Sequence, residues 1–188
     1  MVNMNFDPFP NLTTERLYLR AIDMNDAEDM FVLRSNVDAM KHIARPIAKT
    51  IDDVKLLIEK IQTMIAKNEG IAWGITTREE NRIIGTISFH IVDVANHRAT
   101  TGYMLLPSMW KKGIITEGLN AVLQYGFETM NLHSIEAHID PANIASKNVL
   151  LRCGFVQEAS FHENYFYEGK YLNTDVFCLL NKKHKAEV

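Results

Sequence analysis

The segment Asp140-Pro-Ala-Asn-Ile-Ala-Ser-Lys-Asn-Val-Leu-Leu-Arg-Cys-Gly-Phe155 decides how this chain folds. Residues 134–139, just before it, read as a short strand. Pro141 supplies no ladder donor, so the sheet is expected to open where that strand ends. Asn143 or Ser146 can cap the helix that follows, over residues 145–153, and Gly154 suits its C-cap. About 30 residues before this segment stands Trp110-Lys-Lys-Gly113, where another helix begins. A helix start near Gly113 or Ile114 leaves N–H groups unpaired, and its dipole favours negative charge. Gly113 lets a phosphate approach the backbone, while Lys111 and Lys112 add positive charge. A solvated Lys-Lys turn is the other reading of that loop, as a plain helix cap is of Asn143.

On the N-terminal side, residues 16–22 put Leu17, Leu19 and Ala21 on one face, the pattern of a half-buried strand. Asp23 can cap a helix carrying Ala27, Met30, Phe31 and Arg34. Thr50 opens a second helix with Ile51, Val54, Leu57, Ile58, Ile61, Met64 and Ile65 at helical spacing, closing near Gly70. Residues 71–76, 82–92 and 100–106 then read as three strands of an antiparallel meander. A helix over 116–130 follows, although Gly126 is a poor helix former. After the deciding segment, residues 155–166 and 171–180 form a hairpin around Glu168-Gly169-Lys170. This order implies an α/β (α+β) fold, with a mixed, mostly antiparallel central sheet and helices on both faces. One domain is expected over 1–188, with a core of about 12–180, an N-terminal arm at 1–11 and a basic tail at 182–188.

Composition limits the partners. The chain has 188 residues, 47% hydrophobic and 23% charged, which suits an ordinary soluble globular protein. A net charge of −3 argues against a nucleic-acid partner, which needs a basic face. The apolar runs are too short to cross a membrane, and the start lacks a signal-peptide pattern. The two cysteines, Cys153 and Cys178, read as buried thiols in a reducing cytoplasm.

The run Thr14-Glu-Arg-Leu-Tyr-Leu-Arg20, the pair Gly102-Tyr103, Trp110-x-x-Gly-x-x-Thr-Glu117, Asp140-Pro-x-Asn-x-x-Ser146 and Gly154-Phe155 together resemble the GNAT N-acetyltransferases. The subgroup most resembled acetylates N-termini of ribosomal proteins. The resemblance implies a V-shaped splay between a bulged fourth strand and the fifth, here residues 102–106 and 135–140, holding the pantetheine arm of acetyl-CoA. Backbone groups of Met104, Leu105 and Leu106 would pair with that arm. Lys111, Lys112, Gly113, Ile114, Ile115 and Thr116 would wrap the pyrophosphate. Asn143 would bond the arm, and Ser146, Lys147 and Asn148 would lie near the thiol or the 3′-phosphate end.

The chain also departs from the family pattern. Trp110 and Ile115 replace the usual first and last residues of the loop, and Ile115 is expected to narrow the phosphate cradle while Lys111 compensates. Thr100 and Thr101 stand where a Glu often lies near the acceptor, and Leu151 replaces an acid Tyr. Ser146 is retained as the residue that would protonate the leaving thiolate, whereas Tyr165 aligns with a Glu proposed as base.

The implied reaction transfers an acetyl group from acetyl-CoA to a primary amine, such as the α-amine of a ribosomal or other protein. A small-molecule amine (amino acid, polyamine or antibiotic) is the alternative acceptor, with Glu28, Asp29, Asp52 and Asp53 as the charges a polyamine would need. A non-catalytic CoA-binding sensor is the other class. Only a neutral amine attacks a thioester, and about a tenth of an α-amine is neutral at pH 7 against roughly 0.04% of a lysine amine. An α-amine therefore asks little of a base. Strand alternation would put Glu163 and Tyr165 on one face and His162 on the other, so Glu163 with Tyr165 are the candidate catalytic pair beside Ser146. His133 and His138 would face opposite sides and form no metal pair, and no metal is expected. His42, His90 and His97 read as surface or capping residues. The aromatic hairpin, with Phe166, Tyr167 and Tyr171, is a candidate homodimer contact.

Overall fold

The computed structural model describes residues 1–182; the rest of the tail, with His184, lies outside the described residues. Eight strands form one sheet: β1 (Leu12–Thr13), β2 (Leu17–Arg20), β3 (Ile71–Thr77), β4 (Gly85–Asp93), β5 (Arg98–Leu105), β6 (Ser134–Ile139), β7 (Val156–Tyr167) and β8 (Lys170–Leu180). Their spatial order is β1-β2-β3-β4-β5-β6-β8-β7. Only β5 and β6 run parallel, because the connection between them crosses over through a helix.

The helices are α1 (Ala27–Arg34), α2 (Val37–Met40), α3 (Ile51–Ala66), α4 (Ile114–Glu128) and α5 (Ile144–Arg152). Two apolar clusters line the two faces of the sheet. Ala27, Met30 and Leu33 of α1 pack with Val54 and Ile58 of α3 against Ile22 and Ile83. On the other face Leu119, Val122 and Leu123 of α4 and Leu150 of α5 cover Leu17, Leu19, Trp73, Ile87, Phe89 and Ile135. Gly126 belongs to this packing, since a Cβ there would lie 2.9 Å from the Phe89 ring. The weak helix former is what lets α4 lie close to the sheet.

Several boundaries differ from the pattern-based reading. The short strand β1 and the single-turn helix α2 carry too few residues to show a period. Strand β4 starts at Gly85, not at 82, because Asp29 pairs with Arg82 and accepts the Ile83 N–H at 3.0 Å, bending the chain toward α1. Residues 1–11 do not stand off as an arm. Val2 and Phe6 are buried in the α4-side core, Phe9 packs edge-on to Trp73, and the Trp73 indole donates to the Pro10 carbonyl at 2.7 Å. Three apolar residues scattered among Pro and Asn have neither the helical nor the strand period, so their burial leaves no pattern to read.

Candidate active site

β5 and β6 pair only from Arg98↔Ser134 to Thr101↔Ala137. Beyond that point β5 stays on β4 as far as Leu105↔Gly85, while β6 stays on β8 as far as Ile139↔Asp175. The two strands therefore part into a wedge after Thr101 and Ala137. With β1 counted, they are the fifth and sixth strands. The extra residue lies not on β5 but on β4, where the register slips between Phe89 and Ile91. This leaves His90 as the bulged residue, and its ring lies 3.3 Å from where a Cβ of Gly102 would stand. A larger residue at 102 would displace it.

Alternation along β5 sets which backbone groups face the wedge. The Leu106 N–H donates to the Ile84 carbonyl at 2.9 Å, so Leu106 and, by alternation, Met104 turn their polar groups toward β4. Those of Tyr103 and Leu105 turn the other way, into the gap. The Leu105 carbonyl accepts from the Trp110 indole at 2.9 Å, which fastens the Trp110–Gly113 loop to the end of β5.

That loop is held in shape from below. Glu117 accepts from the Thr14 hydroxyl at 2.5 Å, from the Arg16 N–H at 2.9 Å and from the Arg16 Nε at 2.6 Å. Arg16 in turn donates to the Lys112 carbonyl at 3.0 Å. Burial pushes the Glu117 carboxyl up, but its bonds from Thr14 and Arg16 outweigh this and hold it below the usual carboxylate range. Gly113 is the N-cap at φ 76°, with no side chain capping the helix, so the first N–H groups of α4 have no side-chain partner there. Lys111 and Lys112 are exposed beside them. Ile114 and Ile115 are buried in the core, so the side chain at 115 does not narrow the helix mouth.

Across the wedge stands α5. Asn143 is its N-cap and accepts the Ser146 N–H at 3.0 Å. Ser146 is buried, and its Oγ lies 2.7 Å from the Oη of Tyr103, so a hydrogen bond from β5 to α5 spans the gap. Burial raises the Tyr103 pKa despite the bond with Ser146, which keeps the phenol protonated. Lys147 donates to Gln157 of β7 at 3.1 Å, and Asn148 is exposed.

The opposite face is closed by the α2–α3 connection. Its Ala48 N–H donates to the Arg34 carbonyl at 3.1 Å, and the Arg34 guanidinium touches the Met104 sulfur at 3.4 Å. Arg45 donates to the Tyr165 hydroxyl of β7 at 2.7 Å. His42 Nδ1 lies 2.7 Å from Oδ2 of Asp140, the residue that ends β6.

Residues 16–156 match the family described as the acetyltransferase (GNAT) domain. The chain belongs to the GNAT acetyltransferases. The uncharacterized N-acetyltransferase YoaA of Bacillus subtilis is 31% identical over 175 residues, 93% of this chain and 99% of its own. The probable N-acetyltransferase YjcK of the same organism is 33% identical over 175 residues, 90% of this chain and 97% of its own. Among solved structures, a GNAT-family acetyltransferase from Bacillus anthracis superposes with a TM-score of 0.82 at 26% identity, covering 91% of this chain and 98% of its own. This acetyltransferase is accordingly acetyl-CoA-dependent.

The residues present fit acetyl-CoA. The wedge exposes unpaired strand edge, and α4 offers an uncapped N-terminus with a left-handed glycine. The Thr101 hydroxyl, where β5 and β6 part, is buried with no hydrogen-bond partner among the described residues. The thiols offer no covalent alternative. Burial pushes Cys153 up to about 11 and also raises Cys178, so neither supplies a thiolate at neutral pH.

Of the sequence candidates, the structure brings Leu105, Ser146 and Asn143 to the two walls of the wedge and Lys111–Thr116 to its closed end, whereas the backbone groups of Met104 and Leu106 turn to β4 and do not face the gap. It also reveals Tyr103, His42 and Asp140. Tyr103 was visible in the Gly102-Tyr103 motif and Asp140 in the deciding segment, but only folding shows what they touch. The facing argument for Glu163 does not hold. Between Phe161 and Tyr165 the register with β8 slips, Glu163 adopts φ 52°, and strand alternation is broken there. Its N–H is tied to Asn173 at 2.8 Å and its side chain is exposed, whereas Tyr165 is drawn to the α2–α3 connection.

Proposed function

We propose that this enzyme acetylates the α-amine at the N-terminus of a polypeptide. What carries the reading is the charge on the acceptor side. Arg34, Arg45 and His90 gather there, and neither arginine has an ion-pair partner among the described residues. Burial lowers the His90 pKa, with further contributions from Arg45 and His138, as expected of neighbouring cations. The carboxylates nearby are occupied: Asp140 by His42, and Glu136 by Arg98 and His138. Three of the four acids that a polyamine would need are engaged elsewhere. Asp29 binds Arg82, Asp53 caps α3, and Asp52 pairs with Lys55.

A polycation meets repulsion at such a site, while an α-amine followed by a neutral or acidic segment does not. Relatives of both kinds exist: the [ribosomal protein uS5]-alanine N-acetyltransferase of Escherichia coli is 25% identical, and the spermidine N(1)-acetyltransferase of Vibrio cholerae is 24% identical.

The reaction follows from the wedge. The α4 N-terminus, with Lys111 and Lys112 beside it, would hold the carrier's phosphates, and the inner edge of β5 its arm. A β5 N–H facing the gap polarises the thioester carbonyl and stabilises the oxyanion as the amine attacks. The C–S bond then breaks, and Ser146, oriented by its hydrogen bond with Tyr103, donates its proton to the thiolate and regains one from solvent once the thiol leaves. The test is thiol release from acetyl-CoA with a panel of N-terminal peptides, free amino acids, an aminoglycoside and spermidine. Peptides should show the highest kcat/KM and spermidine among the lowest. Preference for spermidine would overturn the reading.

A further inference from the structure

Among the described residues, the His42–Asp140 pair ties the α2–α3 connection to the end of β6, at the mouth of the wedge. Asp140 follows the last residue of β6, beyond the stretch that pairs with β5. Both its oxygens are occupied: Oδ1 accepts the Ala142 N–H at 2.9 Å, and Oδ2 lies 2.7 Å from His42 Nδ1. The carboxylate is thereby fixed, and it fixes the ring. A carboxylate only accepts, so Nδ1 carries the proton and Nε2 of the neutral ring is the acceptor nitrogen. His42 is half-buried, on a segment anchored to α1 through Ala48 and to β7 through Arg45.

We infer that His42, oriented by Asp140, is the general base that takes the proton from the acceptor amine. This deepens the reading above and rests on it. The neutral amine attacks the thioester carbonyl and, as it does so, gives one proton to Nε2. The nitrogen lone pair forms the new C–N bond, the C–S bond breaks, and the thiolate is protonated from the other wall. The imidazolium then releases its proton to solvent. The other titratable or charged groups around this end of the wedge are Lys41 and Arg45 on the same segment, Arg34 of α1, His90 of β4, Glu136 and His138 of β6, and Tyr165 of β7. Of these histidines, His138 lies 3.2 Å from Glu136, whose other oxygen pairs with Arg98, and His90 lies over Gly102. Only His42 has a carboxylate on Nδ1 with no cation sharing it among the described residues.

The experiment compares wild type with His42→Gln, whose amide still donates to Asp140, and with His42→Ala assayed with and without added imidazole. Thermal melts and KM for acetyl-CoA are measured alongside. With His42→Gln, kcat/KM for the acceptor should fall by about 10²- to 10³-fold while melting temperature and KM for acetyl-CoA hold. Its pH profile should reduce to the titration of the amine alone, and imidazole should restore part of the rate to His42→Ala. Unchanged kcat/KM in His42→Gln, or a loss that tracks a lowered melting temperature without imidazole rescue, overturns the inference and leaves the acceptor reading standing. Wild-type turnover on polyamines but not on peptides overturns the acceptor reading and, with it, this inference.

Discussion

The two sides of the wedge are made of different material. The carrier side is backbone: the inner edge of β5, the first N–H groups of α4, and a loop braced by Glu117, Arg16 and Trp110. The proposed acceptor side is built from side chains: His42 and Arg45 on the α2–α3 connection, Arg34 at the end of α1, His90 at the β4 bulge and Tyr165 on the irregular edge strand β7. Backbone grips whatever shares the carrier's skeleton, and needs only a fold that exposes it. Side chains on loops can be exchanged without disturbing the sheet, so acceptor choice can change while the carrier site stays as it is.

The comparison breaks most sharply at the bridge between the walls. Ser146→Ala should lower kcat by about 10²-fold or more with little change in acetyl-CoA affinity, because a proton donor acts only as the C–S bond breaks. Tyr103→Phe should have a smaller effect of the same kind. Steady-state kinetics with both substrates varied will check this; an unchanged kcat removes Ser146 from the mechanism.

Glu117→Ala leaves Arg16 and the loop unbraced. It should destabilise the fold by about 1–3 kcal/mol and raise KM for acetyl-CoA more than it lowers kcat. Denaturant melts and kinetics report the two effects separately. Reversing a charge on the other side should do the opposite: Arg45→Glu should leave KM for acetyl-CoA alone while improving spermidine relative to peptides by about tenfold. Lys111→Ala and Lys112→Ala should each raise KM for acetyl-CoA only a few-fold, and the effect should fade with added salt because both ammonium groups are exposed.

Acid should weaken both sides in sequence. His90 and His138 titrate below the ordinary imidazole range, burial being the larger cause in each. As pH falls through about 6.5, the unfolded chain takes up protons that the folded one does not, so stability drops. Glu117, held below its ordinary value, contributes stability that is lost only at lower pH still, as the carboxylate is protonated in the folded state. Melting temperature measured from pH 8 to pH 3 should fall in two stages, with Glu117→Gln reducing the second.

Much of the proposed carrier site's local geometry could be read from the chain because it depends on local rules. Pro141 breaks a ladder, Gly113 accepts φ 76°, and Asn143 caps a helix; each acts within a few residues of itself. The wall-to-wall contacts obey no local rule. Tyr103 and Ser146 are 43 residues apart, and His42 and Asp140 are 98 apart. The one attempt to place an acceptor-side residue by strand alternation, at Glu163, failed because two extra residues in β7 break the period.

Periodicity, capping and turn chemistry in the chain were enough to specify the longer strands and helices in their order, the parallel crossover and the uncapped helix mouth at Gly113, since all of these follow from hydrogen bonding between near neighbours. Folding settled the rest: that Val2 and Phe6 close the core, that Ile115 turns inward, and that a histidine and an aspartate far apart in the chain meet at the opening of the wedge. Those outcomes depend on which surfaces pack together, and packing is a property of the whole molecule.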